Sequence, residues 1–150
     1  LQNNMSLGLG CDGASRPNLS LFAEMKHLLY GTMAFWGIPI FDPDIICAKD
    51  LLKMVTVGGA RALQHEAELG TIEEGKKADL ITINLMQPHL TPTHNLLNTL
   101  VDCAAEHDVT DSVINGKIVM RDRNVLTMNE EEIIKECSKR MKQIAERSGI

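Results

Sequence analysis

Aromatic residues are scarce in this sequence: one Trp, one Tyr and three Phe among 150 residues. A surface that stacks successive bases on rings is therefore not evident. A basic stripe is missing too. Lys and Arg number 15 against 20 Asp and Glu, giving a net charge of −5. Lys76-Lys77 is flanked by Glu73-Glu74, and Lys139-Arg140 lies in a Glu-rich stretch. Binding to phosphate backbones leaves a cationic footprint, so the expected partners include neither nucleic acid nor an anionic membrane surface. No apolar run approaches the ~20 residues of a spanning helix. Leu1-Gln2-Asn3-Asn4 does not open a charged-then-apolar signal peptide. It also lacks an initiator Met, which points to a natural N-terminus further upstream. No CxxC joins Cys11, Cys47, Cys103 and Cys137. Structural zinc needs clustered thiolates, so these read as reduced, mostly buried thiols of a cytoplasmic protein. The histidines His27, His65, His89, His94 and His107 contain neither HxH nor HExxH and are expected to be surface or packing residues. Gly58-Gly59 lacks the GxxxxGK[ST] frame of a phosphate loop.

What is present reads as α/β content. Hydrophobic residues at 44% and charged residues at 23% are an ordinary globular mix, and the length suffices for one domain with a core. Met5 to Cys11 alternates apolar with very small residues, the period of a strand. Met5, Leu7, Leu9 and Cys11 fall on one face, and Ser6, Gly8 and Gly10 on the other. A face that bare implies close packing or a nearby ligand. Asp12 follows at the strand's C-terminal end, before the loop Gly13 to Asn18. Leu21, Phe22, Met25, Leu28 and Leu29 mark a helix over about Ser20–Tyr30, with Asn18 or Ser20 as N-cap. Gly31 and Gly37-Ile38-Pro39 are expected to end it.

A second helix is expected over Ala48–Thr56, with Leu51, Leu52 and Val55 on its core face. Gly58-Gly59 interrupts it, and Ala60–Leu63 adds a short further turn. Ala78–Ile83 is a β-branched strand, Pro88 and Pro92 bracket a loop, and Asn95–Ala105 is helix-like or irregular. Val109–Ile114 and Lys117–Arg121 flank Asn115-Gly116, the signature of a type I′ hairpin. The last helix starts near Asn129, with Asn129 and Glu132 as a capping pair. Ile133, Cys137, Met141 and Ile144 form its narrow apolar stripe. These strands are too few to close a barrel or cover a sheet, and the first has no partner close in sequence. A missing N-terminal portion would resolve both points.

Three stretches resemble the amidohydrolase superfamily, in its deaminase and chlorohydrolase branch. Leu9-Gly10-Cys11-Asp12-Gly13-Ala14-Ser15, followed by Asn18-Leu19 and Phe22-Ala23-Glu24-Met25, is similar to the family's LGTDG motif after the eighth barrel strand and the FEEM helix behind it. Gly58-Gly59-Ala60-Arg61-Ala62-Leu63, with Leu69 through Leu80, is similar to GAxAL…GSIExGKxADL, where the chain leaves the barrel. Val109 through Ile118 resembles the VxxVxVNGKxV hairpin of the β-domain that follows. The three stand in the family's order and spacing. Cys11 replaces the usual Thr, and Arg16-Pro17 stands where small polar residues are common.

The resemblance implies the C-terminal portion of a (β/α)8 TIM barrel plus part of a small composite β-sandwich domain. The last barrel strand and its helices would occupy residues 1–68, a β-domain segment with the hairpin 69–127, and a C-terminal helix 128–150. Active sites of such barrels lie at the C-terminal strand ends, where Asp12 falls. It implies that Asp12 contacts one divalent ion, zinc or iron, and takes a proton from the water that the ion activates. Read from the residues alone, Asp12 is better taken as a cap of the turn before Gly13, and only the neighbouring motifs turn the reading toward catalysis. Ser15 and Asn18 could touch substrate, although Asn18 also suits a helix cap. The family's HxH pair, its further histidines and its acid/base Glu cannot be placed here, so those ligands are expected upstream. The implied reaction is hydrolysis of a non-peptide C–N bond: deamination of a small adenosine derivative or aminated heterocycle. The Thr91-Pro92 loop, the C-terminal helix and the Asp12 region lean toward the thioadenosine and homocysteinyl-adenosine deaminases. Hydrolytic dechlorination of a triazine uses the same water attack and stays open, as does a non-catalytic interaction module. A homo-oligomer through the full-length protein is compatible with the family.

Overall fold

Ser20 fixes where the first helix begins. Its Oγ accepts the Ala23 amide at 3.4 Å and satisfies a free first-turn N–H of α1, Leu21–Thr32. The computed structural model describes residues 5–13, 19–40, 42 and 45–149, so Asn18, the other candidate cap, lies outside the described residues. The expected stop at Gly31 and Gly37-Ile38-Pro39 is not found. The chain runs on through a π-helical segment, Met33–Gly37, into one more turn, α2, Ile38–Ile40. The Ile38 amide there reaches back five residues to the Met33 carbonyl. Pro39 has no amide to donate, and its ring crowds the carbonyl four residues back. The wider π turn just before it relieves that crowding, so the proline is absorbed.

The next two helices are α3, Ala48–Met54, and α4, Val57–Ala62. The break between them falls at Val55-Thr56, and Gly58-Gly59 lie inside α4 instead of interrupting the helix. Glycine in a helix costs about 1 kcal/mol against Ala, so another need must keep it there. A Cβ on Gly58 would lie 2.5 Å from the Leu7 carbonyl oxygen and 2.8 Å from that of Lys53. A Cβ on Gly8 would lie 2.9 Å from Gly59 Cα. The Met5–Cys11 segment therefore crosses α4 backbone on backbone, the close packing its bare face implied.

That segment is not a strand. It forms no ladder among the described residues, and its tie to the helices is the Leu9 amide donating to the Met54 carbonyl at 3.2 Å. Alternation supplies a strand's faces but not its partner, and no other strand comes beside this segment among the described residues. The core lies next to it: Met25, Ile46, Ala48, Leu51, Met54 and Val101 are buried together, with Leu9, Phe22, Leu28, Leu29, Leu52 and Val55 packed around them. Val101 arrives from α5, Leu96–Asn98, and the π-helical segment Thr99–Cys103 that continues it. Lys26 Nζ donates to the Ala104 carbonyl at 2.8 Å and fastens α1 to that stretch.

Beyond the helices lies one antiparallel sheet in the order β1, Leu80–Ile83; β2, Val109–Ile114; β3, Lys117–Arg121; β4, Asn124–Val125. Asn115 (φ 48°) and Gly116 (φ 75°) make the turn between β2 and β3, both left-handed as a type I′ turn requires. The Asn115 amide donates to Asp79 Oδ1 and the Gly116 amide to the Ala78 carbonyl, so the turn rests on the entrance to β1. The described strands thus form one four-stranded antiparallel sheet. Helix α6, Glu130–Ser148, is capped by Asn129 Oδ1 accepting the Glu132 amide at 3.2 Å. It buries none of its residues.

The thiols also differ from expectation. Cys47, Cys103 and Cys137 are exposed, Cys11 is half-buried, and all four are free. Cys137 is exposed because it lies on α6, which buries none of its residues, and Cys47 sits before α3 with its thiol donating to Asp50 Oδ2 at 3.0 Å. Among the described residues no helix is long and apolar enough to cross a membrane.

Candidate functional site

Asp12 is positioned by what precedes it. The Gly8–Gly59 crossing and the Leu9–Met54 hydrogen bond hold the approach to it against α4 and α3. Asp12 itself is exposed and takes φ 57°. Side chains rarely adopt the left-handed region, although Asp does so more readily than most. Among the described residues no hydrogen bond or ion pair holds its carboxylate. A hard, free carboxylate is suitable as one ligand of a divalent ion, but the described residues bring no group of further ligands to it. Ser15 and Asn18, the expected substrate contacts, lie outside the described residues.

A second polar cluster was not singled out by the sequence. His89 stands in the turn Pro88–Leu90, and Asp108 closes the turn Glu106–Asp108 that leads into β2. His89 Nε2 lies 2.9 Å from Asp108 Oδ2, and His107 Nε2 lies 3.8 Å from Oδ1. Asp108 is buried, and its Oδ2 also accepts the Ala105 amide at 2.9 Å. Burial alone pushes the Asp108 carboxyl up. The hydrogen bonds from His89 and Ala105, with the neighbouring imidazoles, outweigh burial and hold it below the ordinary carboxylate range. The signal for this cluster was weak in sequence, because His89 and Asp108 are 19 positions apart and only folding brings them together.

The model of the amidohydrolase family matches residues 1–119. This chain belongs to the amidohydrolase family. The family segment described here is 37% identical over 148 residues to a 5-methylthioadenosine/S-adenosylhomocysteine deaminase of Thermoanaerobacter pseudethanolicus, covering 98% of this chain and 33% of that protein. A crystal structure of an adenosine deaminase from Xanthomonas campestris with bound zinc superposes with a TM-score of 0.84 at 31% identity. That match covers 93% of this chain and 31% of the deaminase. An atrazine chlorohydrolase from Arthrobacter aurescens, complexed with zinc and atraton, shares the fold with a TM-score of 0.74 at 23% identity, covering 89% of this chain and 29% of that one. The amidohydrolase segment thus spans about a third of the length of the relatives it matches.

Proposed function

We propose that the protein carrying this segment hydrolyses a non-peptide C–N bond, deaminating an adenosine derivative or aminated heterocycle, with Asp12 as a catalytic carboxylate. The observation that carries this reading is the setting of Asp12: exposed, left-handed, without a partner among the described residues, and reached through a segment anchored on α3 and α4. Family membership supports the reading, and so does the deaminase relative that matches nearly the whole chain.

In this reading residues 1–68 complete a (β/α)8 barrel, 69–127 belong to the β-domain and 128–150 are its C-terminal helix, in a cytoplasmic enzyme acting on a small molecule. Histidines on strands outside this chain complete a zinc or iron site with Asp12. The ion, when bound, supplies a water that ionises near neutral pH, with a pKa of roughly 7. Asp12 would be one of the residues that hold the ion, and as a base it would take a proton from the attacking water and pass it toward the leaving amine. Ser15 and Asn18 line the substrate side of the same loop.

The test is ammonia release by the full-length protein from a panel of adenosine derivatives, with chloride release from a chlorotriazine as the competing outcome. Asp12→Asn keeps the size and removes the base, and is expected to lower kcat by about 100- to 10,000-fold. Unchanged activity in that variant overturns the role of Asp12. Activity on the triazine alone overturns the deaminase assignment.

A further inference from the structure

The ligand atoms of His89, His107 and Asp108 all lie within 4.8 Å of one another. The carboxylate among them is the fixed member, with its side chain 1% exposed. Its Oδ2 accepts the Ala105 amide at 2.9 Å, its own amide donates to the Ala105 carbonyl at 3.0 Å, and its carbonyl accepts the Asn84 amide at 2.9 Å. From the turn between β3 and β4, Arg123 Nη1 donates to the carbonyls of Glu106, His107 and Val109 at 3.3, 2.6 and 3.1 Å. The backbone that presents His107 and Asp108 is therefore clamped from two sides, as outer-shell contacts clamp a metal ligand.

Two imidazoles stand beside this fixed carboxylate, with side chains 40% and 63% exposed. They are open enough to turn, and they leave further coordination positions to water. Ligand atoms about 2.0–2.1 Å from a tetrahedral ion sit about 3.3 Å apart. His89 Nε2 lies 2.9 Å from Oδ2 and His107 Nε2 lies 3.8 Å from Oδ1, so each imidazole nitrogen stands near that distance from one of the two carboxylate oxygens. Two imidazole nitrogens and one carboxylate oxygen favour zinc, cobalt(II) or nickel(II) over calcium or magnesium, which prefer all-oxygen shells.

We propose that His89, His107 and Asp108 form a binding site for a divalent transition-metal ion, separate from Asp12. The ion would take the place of the hydrogen bond between His89 Nε2 and Asp108 Oδ2, with the neutral imidazole keeping its one proton on Nδ1. The site involves none of the residues assigned to deamination, so it stands or falls independently of that reading.

The experiment is a cobalt(II) titration of the full-length protein, following bound metal by equilibrium dialysis and the visible absorption of the coordinated ion. Wild type is expected to bind one equivalent more than His107→Gln. Loss of a mere outer-shell partner weakens metal binding about 10- to 100-fold, so loss of this ligand should weaken it at least tenfold. His107 is exposed, so the variant keeps its fold, checked by an unchanged thermal melt. Asp12→Asn is expected to keep this equivalent and its spectrum, which separates the site from any ion at Asp12. Equal stoichiometry and affinity in wild type, His107→Gln and His89→Gln overturn the proposal and leave an ion pair only.

Discussion

Gly58 and Asp108 show how much a single position can carry in this chain. Replacing Gly58 by Ala drives a methyl group to 2.5 Å from the Leu7 carbonyl oxygen and 2.8 Å from that of Lys53. Both neighbours are backbone, so either α4 or the Met5–Cys11 segment must shift. The expected loss of stability is about 1–3 kcal/mol, the usual range for forced overpacking, read from the urea midpoint of the full-length protein. Because that segment leads into Asp12, kcat should fall as well. Normal stability and activity in the Gly58→Ala variant would show that the crossing positions nothing. Asp108 carries a pH dependence. Its carboxyl is held below the ordinary value of about 4, so its stabilising contribution is complete above that value and fades as pH falls through the depressed one. Asp108→Ala leaves the Ala105 amide without its side-chain acceptor. The expected loss is about 1–3 kcal/mol at neutral pH, shrinking toward wild type in acid melts below about pH 4. A deficit of the same size at every pH would show that the carboxylate charge is not the cause.

Helix α6 is long and buries none of its residues, so its integrity rests on local chemistry. Asn129→Ala removes the acceptor of the Glu132 amide, at a cost of about 1 kcal/mol. The loss should appear as faster amide exchange in the first turns of α6, while the melt of the core around Met25 and Leu51 stays put. A change in the core melt would mean that α6 is coupled to it. The same distinction between local and distant causes decides what the sequence made legible. Caps at Ser20 and Asn129, the Asn115-Gly116 turn and the Met25–Leu51 faces follow from neighbours a few residues away, and each was readable. The run of α1 past Pro39 was not, because a π turn absorbed the breaker and nothing in the local pattern announces one. Met5–Cys11 shows a strand's alternation without a strand's partner. Asp108 escaped notice because its meeting with His89 depends on the sheet pairing that brings Asn84 to the Asp108 carbonyl. Family motifs located Asp12, and its left-handed backbone lay beyond what they encode.

At the scale of the whole molecule the surface is the unusual feature. Phe35 and Trp36 are 78% and 62% exposed, and Ile72 and Met86 more so. Apolar surface of that extent normally meets another surface. The 150-residue chain by itself is expected to self-associate and to bind a hydrophobic dye, with its one Trp emitting as solvated indole. In the full-length protein Trp36 emission should shift to the blue as that side chain is covered. A monomeric isolated chain that unfolds cooperatively, with the same emission as the full-length protein, would show that the segment is self-sufficient. Such a covering would leave one point unmoved. Gly8 is wedged against Gly59, and four residues later comes Asp12, a leash of at most about 14 Å when taut. Whatever completes the site must therefore bring its chemistry to the carboxylate, because the carboxylate cannot travel to meet it.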